Sequence, residues 1–154
     1  MKALLIKLII PLTVISFPLF TKWWFVLPVD APHEIMHGFP LPYVCPGWHT
    51  SLSLQLFVLP FTLDLLVYLL FWFLVVYAFY RACRITKVNK VVVIVLYSLS
   101  GFVALGSTLL LTNPDNIITP TRDWEMDVLK TGYEFVWQQQ DIVKLLESDT
   151  VKEK

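Results

Sequence analysis

Residues 33–37 read His-Glu-Ile-Met-His, a spacing that on a helix places two imidazoles on one face, four residues apart. In zinc peptidases this pattern supplies two metal ligands, and the glutamate serves as the general base. A capping residue, Asp30, and a stop signal, Gly38, favour a short helix over 31–37. The pattern therefore suggests a zinc site in which Glu34 is the candidate catalytic residue.

Metal chemistry at this motif needs further ligands, and a peptidase also needs an open coordination position for water. The sequence that follows does not continue as in metzincins, and Leu65 stands where site-2-type peptidases have the glycine of Leu-Asp-Gly. We therefore expect a loop whose histidines face water and which binds no cofactor, with a zinc site as the alternative. The candidate metal ligands are His33, His37, Cys45 and His49.

The composition indicates a membrane protein. The chain of 154 residues is 56% hydrophobic, 15% aromatic and 16% charged, and its mean hydropathy is +0.65. Soluble domains are about 25% charged and about 45–50% apolar. The formal net charge is zero, so no basic footprint for nucleic acid is present.

Three apolar stretches are long enough to be considered membrane spans, at about 3–20, 53–80 and 91–112. Roughly 20 apolar residues cross a hydrocarbon core, and such segments must be helical because lipid cannot satisfy the backbone. We expect an all-α membrane protein with three transmembrane helices, placed multi-pass in a cell membrane, the bacterial inner membrane in particular. The prolines of the 21–52 loop argue against a long helix or a central strand there.

Basic residues set the expected orientation. The amino end carries Lys2 and Lys7, and the 81–90 connection carries four basic residues and no acid. Cytoplasmic loops are enriched in Lys and Arg. We therefore expect the amino terminus inside, and the 21–52 loop and the 113–154 tail outside.

Two further segments offer interaction surfaces. Small residues recur at intervals of four in the third span, and this spacing lets helices approach closely, either span two or another protein's helix. In the tail, a capping box at Thr131 and Glu134 predicts an amphipathic helix over about 132–147. Because this tail is acidic, we expect the helix to pack on protein and not on an anionic lipid surface. The candidate interaction residues are Ser100, Ala104, Thr108, Phe135, Ile142 and Leu146.

Asp64 is the one acid within a predicted span. An acid inside a membrane is a candidate for a proton or ion path. The apolar residues that follow Asp64 nearly fill the hydrocarbon core by themselves, which favours a position near the outer headgroups. A channel or transporter component that uses Asp64 stays as an alternative.

Two stretches, "GFPLPYVCPGW" and "PFTLDLLVYLLFWFLVVY", resemble a group of small bacterial membrane proteins of unknown activity. Members of that group carry a Gly-Phe-Pro loop after an amino-terminal anchor, and then an aromatic span that opens with an Asp. The resemblance covers about a third of the chain, and it implies an envelope location without an activity. The matching residues are Gly38, Phe39, Pro40, Asp64, Phe71, Trp72 and Phe73.

Together these observations favour a non-catalytic accessory or interaction subunit of an envelope complex. We expect it to contact the lipid bilayer and a membrane-protein partner or a second copy of itself, and not nucleic acid. The alternatives are a membrane-bound zinc peptidase that uses the 33–37 motif and a transport component that uses Asp64.

Overall fold

The computed structural model describes residues 2–29, 33–47, 50, 53–83 and 88–135. They form three helices and six strands, with four successive strands after the first helix and two after the third. The elements are α1 (Lys2–Leu19), β1 (Phe20–Pro28), β2 (Glu34–His37), β3 (Val44–Pro46), β4 (Leu54–Phe57), α2 (Val58–Cys83), α3 (Lys90–Leu111), β5 (Ile117–Thr119) and β6 (Met126–Phe135).

The expectation of an all-α protein is wrong, because the loop and tail build a six-stranded sheet of order β5-β4-β3-β2-β1-β6. All neighbours are antiparallel except β4 and β5, which are parallel. The longest ladder joins β1 to β6, from Phe20 opposite Phe135 to Pro28 opposite Met126. The tail helix expected over 132–147 is replaced at 132–135 by this strand, and residues 136–154 lie outside the described part of the chain.

The exclusion of a central strand from the loop is also wrong, since β2 lies inside the sheet. The reason is the position of the prolines. Pro28 and Pro46 end their strands, and Pro40 and Pro42 lie in the turn between β2 and β3. None of these four therefore interrupts a ladder from within.

One face of the sheet holds the hydrophobic core. Val26, Met36, Cys45 and Phe57 come from four successive strands, and each is 0% exposed. Trp124, which precedes β6, and Met126, its first residue, pack against this cluster together with Trp24.

The expectation of three spans is also wrong for the described residues. Two helices are long and apolar enough to cross a membrane, Val58–Ala82 and Lys90–Leu111. Within α1, the apolar stretch Ile6–Leu19 of the described residues is shorter than these two helices.

The shorter helix α1 packs against both α2 and α3. Trp72 of α2 donates its indole N–H to Ser16 Oγ over 2.8 Å. Tyr97 of α3 donates its hydroxyl to the carbonyl of Ile6 over 3.0 Å. The third helix therefore packs mainly on α1, and not on α2 as we expected.

Helices and sheet are joined without linkers at two places. Leu19 ends α1 and Phe20 begins β1, while Phe57 ends β4 and Val58 begins α2. The second span predicted from about residue 53 therefore opens as a strand, and its helix starts at Val58. Because the strands alternate in direction, the β2–β3 turn lies at the same end of the sheet as these two junctions.

Candidate functional site

The His-Glu-Ile-Met-His motif lies on β2 and its preceding residue, and not on the short helix that we expected. Successive strand side chains point to opposite faces, and residues four apart lie about 13 Å from each other. Glu34 and His37 consequently project from opposite faces of the sheet. The strand thus removes the close spacing that a helix would give the two histidines.

The other candidate ligands are also dispersed. His33 is exposed and stacks on Phe25, with ring centroids 5.3 Å apart. Cys45 is buried on the core face, whereas His37 projects from the opposite face. His49 lies outside the described residues. Within the parts of the chain that the structure describes, no three His, Cys, Asp or Glu side chains are grouped as a metal site.

His37 has a partner that the motif does not predict. Its Nδ1 lies 2.7 Å from Glu134 Oε1, without the alignment of a hydrogen bond. Glu134 is 1% exposed and the His37 side chain is 22% exposed. Since β1 lies between β2 and β6, this contact connects two strands across a third.

Buried and closely packed residues surround His37 and Glu134. Thr21 lies opposite Glu134 in the β1–β6 ladder and is 4% exposed. A Cβ atom at Gly132 would lie 2.7 Å from the ring of Trp23, so glycine lets the indole pack flat on β6. Burial of the Glu134 carboxylate beside the His37 imidazole favours a structural role for this pair.

Asp64 forms the junction between sheet and helices. It lies near the start of α2, is 0% exposed, and its Oδ1 accepts the backbone N–H of Leu41 over 3.0 Å. The partner belongs to the turn between β2 and β3. Asp64 therefore anchors this turn to α2, which gives it a local structural partner at the sheet end of the helix.

Gly38 opens the same turn and has a φ of +152°. Side-chain-bearing residues rarely adopt this conformation. A Cβ atom there would overlap the carbonyl oxygen of Leu41, and it would lie 2.8 Å from the ring of Tyr43. The turn over Asp64 therefore requires glycine at this position.

Aromatic rings surround the junction. Phe17 stacks on Tyr43 with centroids 5.2 Å apart, and it meets Phe61 and Tyr68 edge-on at the same distance. Burial raises the pKa of Tyr43 above its ordinary value, and nearby Tyr68 and Asp64 raise it further. These contacts pack the ends of α1 and α2 against the β2–β3 turn.

The small residues of α3 are divided between two environments. Ser100 is 8% exposed, and its hydroxyl donates to the carbonyl of Tyr97. Ala104 and Thr108 are exposed, and the Thr108 hydroxyl donates to the carbonyl of Ala104. The repeat therefore does not form one buried seam within the described chain.

The edge strand β6 is the most exposed strand of the sheet. Val128 is 45% exposed, Leu129 48%, Tyr133 59% and Phe135 41%. Of the tail residues predicted to interact, Phe135 lies on this strand, while Ile142 and Leu146 fall outside the described residues. A ten-residue edge strand with four exposed apolar side chains is a surface suited to pairing with another extended chain.

Our sequence analysis missed Glu134 as a buried partner of His37, because its spacing from Thr131 also fits a helical capping box. It also missed Trp72 and Tyr68 as hydrogen-bond donors to α1 and its junction with β1. The available signal was the polar atoms on rings within an otherwise apolar stretch, because such atoms need hydrogen-bond acceptors when they are buried.

The chain matches no protein-family model, no curated protein and no solved structure. The residues that carried the resemblance are nevertheless close in space. Gly38 and Phe39 belong to the turn that Asp64 anchors, and Phe39, Phe71 and Trp72 line one cavity between α1 and α2.

Proposed function

We propose that this protein is a membrane-anchored, non-catalytic interaction subunit of an envelope complex. In this proposal α2 and α3 form a multi-pass anchor in a bacterial inner membrane, and the sheet stands at the extracytoplasmic surface. The exposed edge of β6 recruits an extended segment of a partner protein or of a second copy. The single observation that carries the interaction role is this ten-residue edge strand, on which four large apolar side chains are exposed.

Lack of burial supports the membrane placement of α2 and α3. In their most apolar stretches only 11% and 6% of the residues are buried. The core helix of a soluble domain has its apolar face covered by protein. Exposed apolar surface of this extent is compatible with lipid as the surrounding solvent.

The charges support the orientation. Arg81 and Lys90 lie at the α2–α3 turn, with Arg84 and Lys87 between them in the sequence. Basic turns stay on the cytoplasmic side. The sheet joins the carboxyl end of α1 and the amino end of α2, and the basic turn lies at the other end of these helices. If the basic turn is cytoplasmic, the sheet is therefore on the outer side.

The geometry of β6 supports strand addition. One side of the strand pairs with β1, and the other side is the outer edge of the sheet as described. Natural proteins usually protect such edges with short strands, charges or prolines. The opposite edge, β5, has three residues, whereas β6 has ten, no proline, and two exposed charges, Asp127 and Lys130. A partner strand would therefore find more backbone groups and apolar side chains at β6.

Photo-crosslinking tests this function. A benzophenone amino acid at Val128, which is 45% exposed, should form an adduct of one discrete mass in intact membranes. The matched control is the same probe at Ile118, which is 58% exposed on the opposite edge. We expect no adduct there.

A charge at the same strand provides an independent test. Val128→Lys should abolish a crosslink from a probe at Leu129, because an edge charge opposes strand addition. Ile118→Lys should leave it intact. Adducts of equal yield from both edges, or from neither, would contradict an interaction role for β6.

A further inference from the structure

Two apolar cavities lie along the seam between α1 and α2. One has a volume of about 300 Å³ and the other about 270 Å³, and Trp72 lines both. The upper cavity is bounded by Phe20 and Phe39 near the sheet, and the lower one by Leu8 and Tyr80. Together they form the α1–α2 cleft.

Hydrogen bonding within the protein makes this cleft apolar. The indole N–H of Trp72 donates a hydrogen bond to Ser16 Oγ, and the hydroxyl of Tyr68 donates to the carbonyl of Phe20. The side-chain polar groups of Ser16, Tyr68 and Trp72 are therefore hydrogen-bonded within the protein. An occupant gains apolar contact there and needs no hydrogen bond.

The dimensions fit one hydrocarbon chain. On α2 the lining runs from Val67 to Tyr80, which corresponds to about 20 Å of helix at about 1.5 Å per residue. One leaflet is about half of a hydrocarbon core of about 30 Å. A single acyl chain that enters at the Tyr80 end would therefore reach past Trp72 toward the sheet.

Two exposed cations flank the lower cavity of the cleft, away from the sheet. Lys7 precedes Leu8 on α1, Arg81 follows Tyr80 on α2, and both cations are exposed. At the opposite end the cleft meets Phe20 and Phe39. Basic sites between membrane helices bind anionic headgroups. Charge complementarity therefore favours an anionic headgroup at the Tyr80 end of the cleft.

We propose that the α1–α2 cleft binds one acyl chain of an anionic phospholipid, whose phosphate is held by Lys7 and Arg81. The lipid comes from the leaflet on the side of the basic turn. This inference rests on the membrane placement proposed above, and it is independent of the β6 interaction surface. It gives the cleft a specific, resident lipid.

Native mass spectrometry tests the proposal on the full chain, released from bilayers with equal amounts of phosphatidylglycerol and phosphatidylcholine. We expect one retained phosphatidylglycerol. Lys7→Gln or Arg81→Gln should each lower its preference over phosphatidylcholine by about fivefold, the fold-change that corresponds to about 1 kcal/mol per basic residue near a membrane surface. Lys90→Gln is the matched control at the start of α3 and should retain the preference.

A steric pair tests the position of the chain. Val75 lines the lower cavity, and Val75→Trp should remove the retained lipid, whereas Leu74→Trp on the exposed side of α2 should not. Lys7→Gln and Arg81→Gln leave the packing of the cleft intact, so they test the lipid site even if Val75→Trp fails to fold. Equal lipid retention in both tryptophan variants would overturn the proposal, as would an unchanged preference in Lys7→Gln and Arg81→Gln. A chain that does not enter bilayers at all would refute the membrane placement instead.

Discussion

The thiol of Cys45 lies at the centre of the core face of the sheet and is 0% exposed. Burial raises the pKa of Cys45 from its ordinary value of 9.0 to about 12; the nearby Glu34 raises it further, while Arg122 lowers it. Only the thiolate is a strong nucleophile or metal ligand. A residue that the sequence offered as a ligand is thus held protonated by its packing.

Cys45 should therefore react slowly with maleimide in the folded protein. At pH 8, in a Cys83→Ser background, its thiolate fraction should be about a thousandfold below that of the unfolded chain, a tenfold change per pKa unit. The labelling rate of the unfolded chain should level off above pH 9, whereas that of the folded protein should still rise there. Mass spectrometry of timed samples measures both rates.

The same pKa shift predicts a loss of stability at high pH. Below pH 9 both states hold the proton, while between pH 9 and about 12 only the unfolded chain releases it, so the free energy of unfolding falls there. Cys45→Ala should remove this contribution. Equal labelling rates for the folded and unfolded protein would contradict a buried, protonated thiol.

At the scale of elements, α2 and α3 were predictable to within a few residues because long apolar runs form helices wherever they meet lipid. The sheet was not. Four of its strands have three or four residues, too few to show an alternating pattern. The longest ladder pairs Phe20 with Phe135, and such pairing depends on tertiary contacts that no local pattern reveals.

The arrangement of the candidate site also could not be predicted from local sequence patterns. His37 was recognisable as a functional group, but its spacing from His33 has one meaning on a helix and another on a strand. The anchoring of Asp64 by Leu41 was equally hidden, because a backbone donor leaves no residue-type signal.

The β2–β3 turn provides the prediction at this scale. Gly38→Ala should lower the free energy of unfolding by about 1–3 kcal/mol, the range for a strained backbone position. The added Cβ would also overlap Leu41. Thermal unfolding in detergent, followed by tryptophan fluorescence, measures the change.

Gly101→Ala is the matched control for Gly38→Ala. Gly101 lies within α3, and a Cβ atom there would have no neighbour within 4 Å. It should be neutral or slightly stabilising, since alanine is the better helix former by about 1 kcal/mol. A Gly38→Ala variant as stable as the control would show that the turn does not need its glycine.

For the whole molecule, the arrangement places the sheet and the basic turn at opposite ends of the helices. In a chain without native cysteines, Asp127→Cys on the sheet should react with an impermeant maleimide in intact cells. Asn89→Cys beside the basic turn should react only after the membrane is opened. Both residues are exposed in the structure. The reverse pattern would show that the sheet faces the cytoplasm. Labelling of both cysteines in intact cells would refute a membrane crossing by α2 and α3.

The β1–β6 ladder also sets an order of events during biosynthesis. Strand β1 leaves the ribosome before α2 and α3, and β6 leaves after them. In the membrane placement proposed above, the side of β1 that faces β6 stays open until both helices are inserted and the last strand has crossed the bilayer. Completion of the sheet thus reports that the hairpin has been inserted, and a chain stalled before residue 126 would expose β1 to chaperones and proteases.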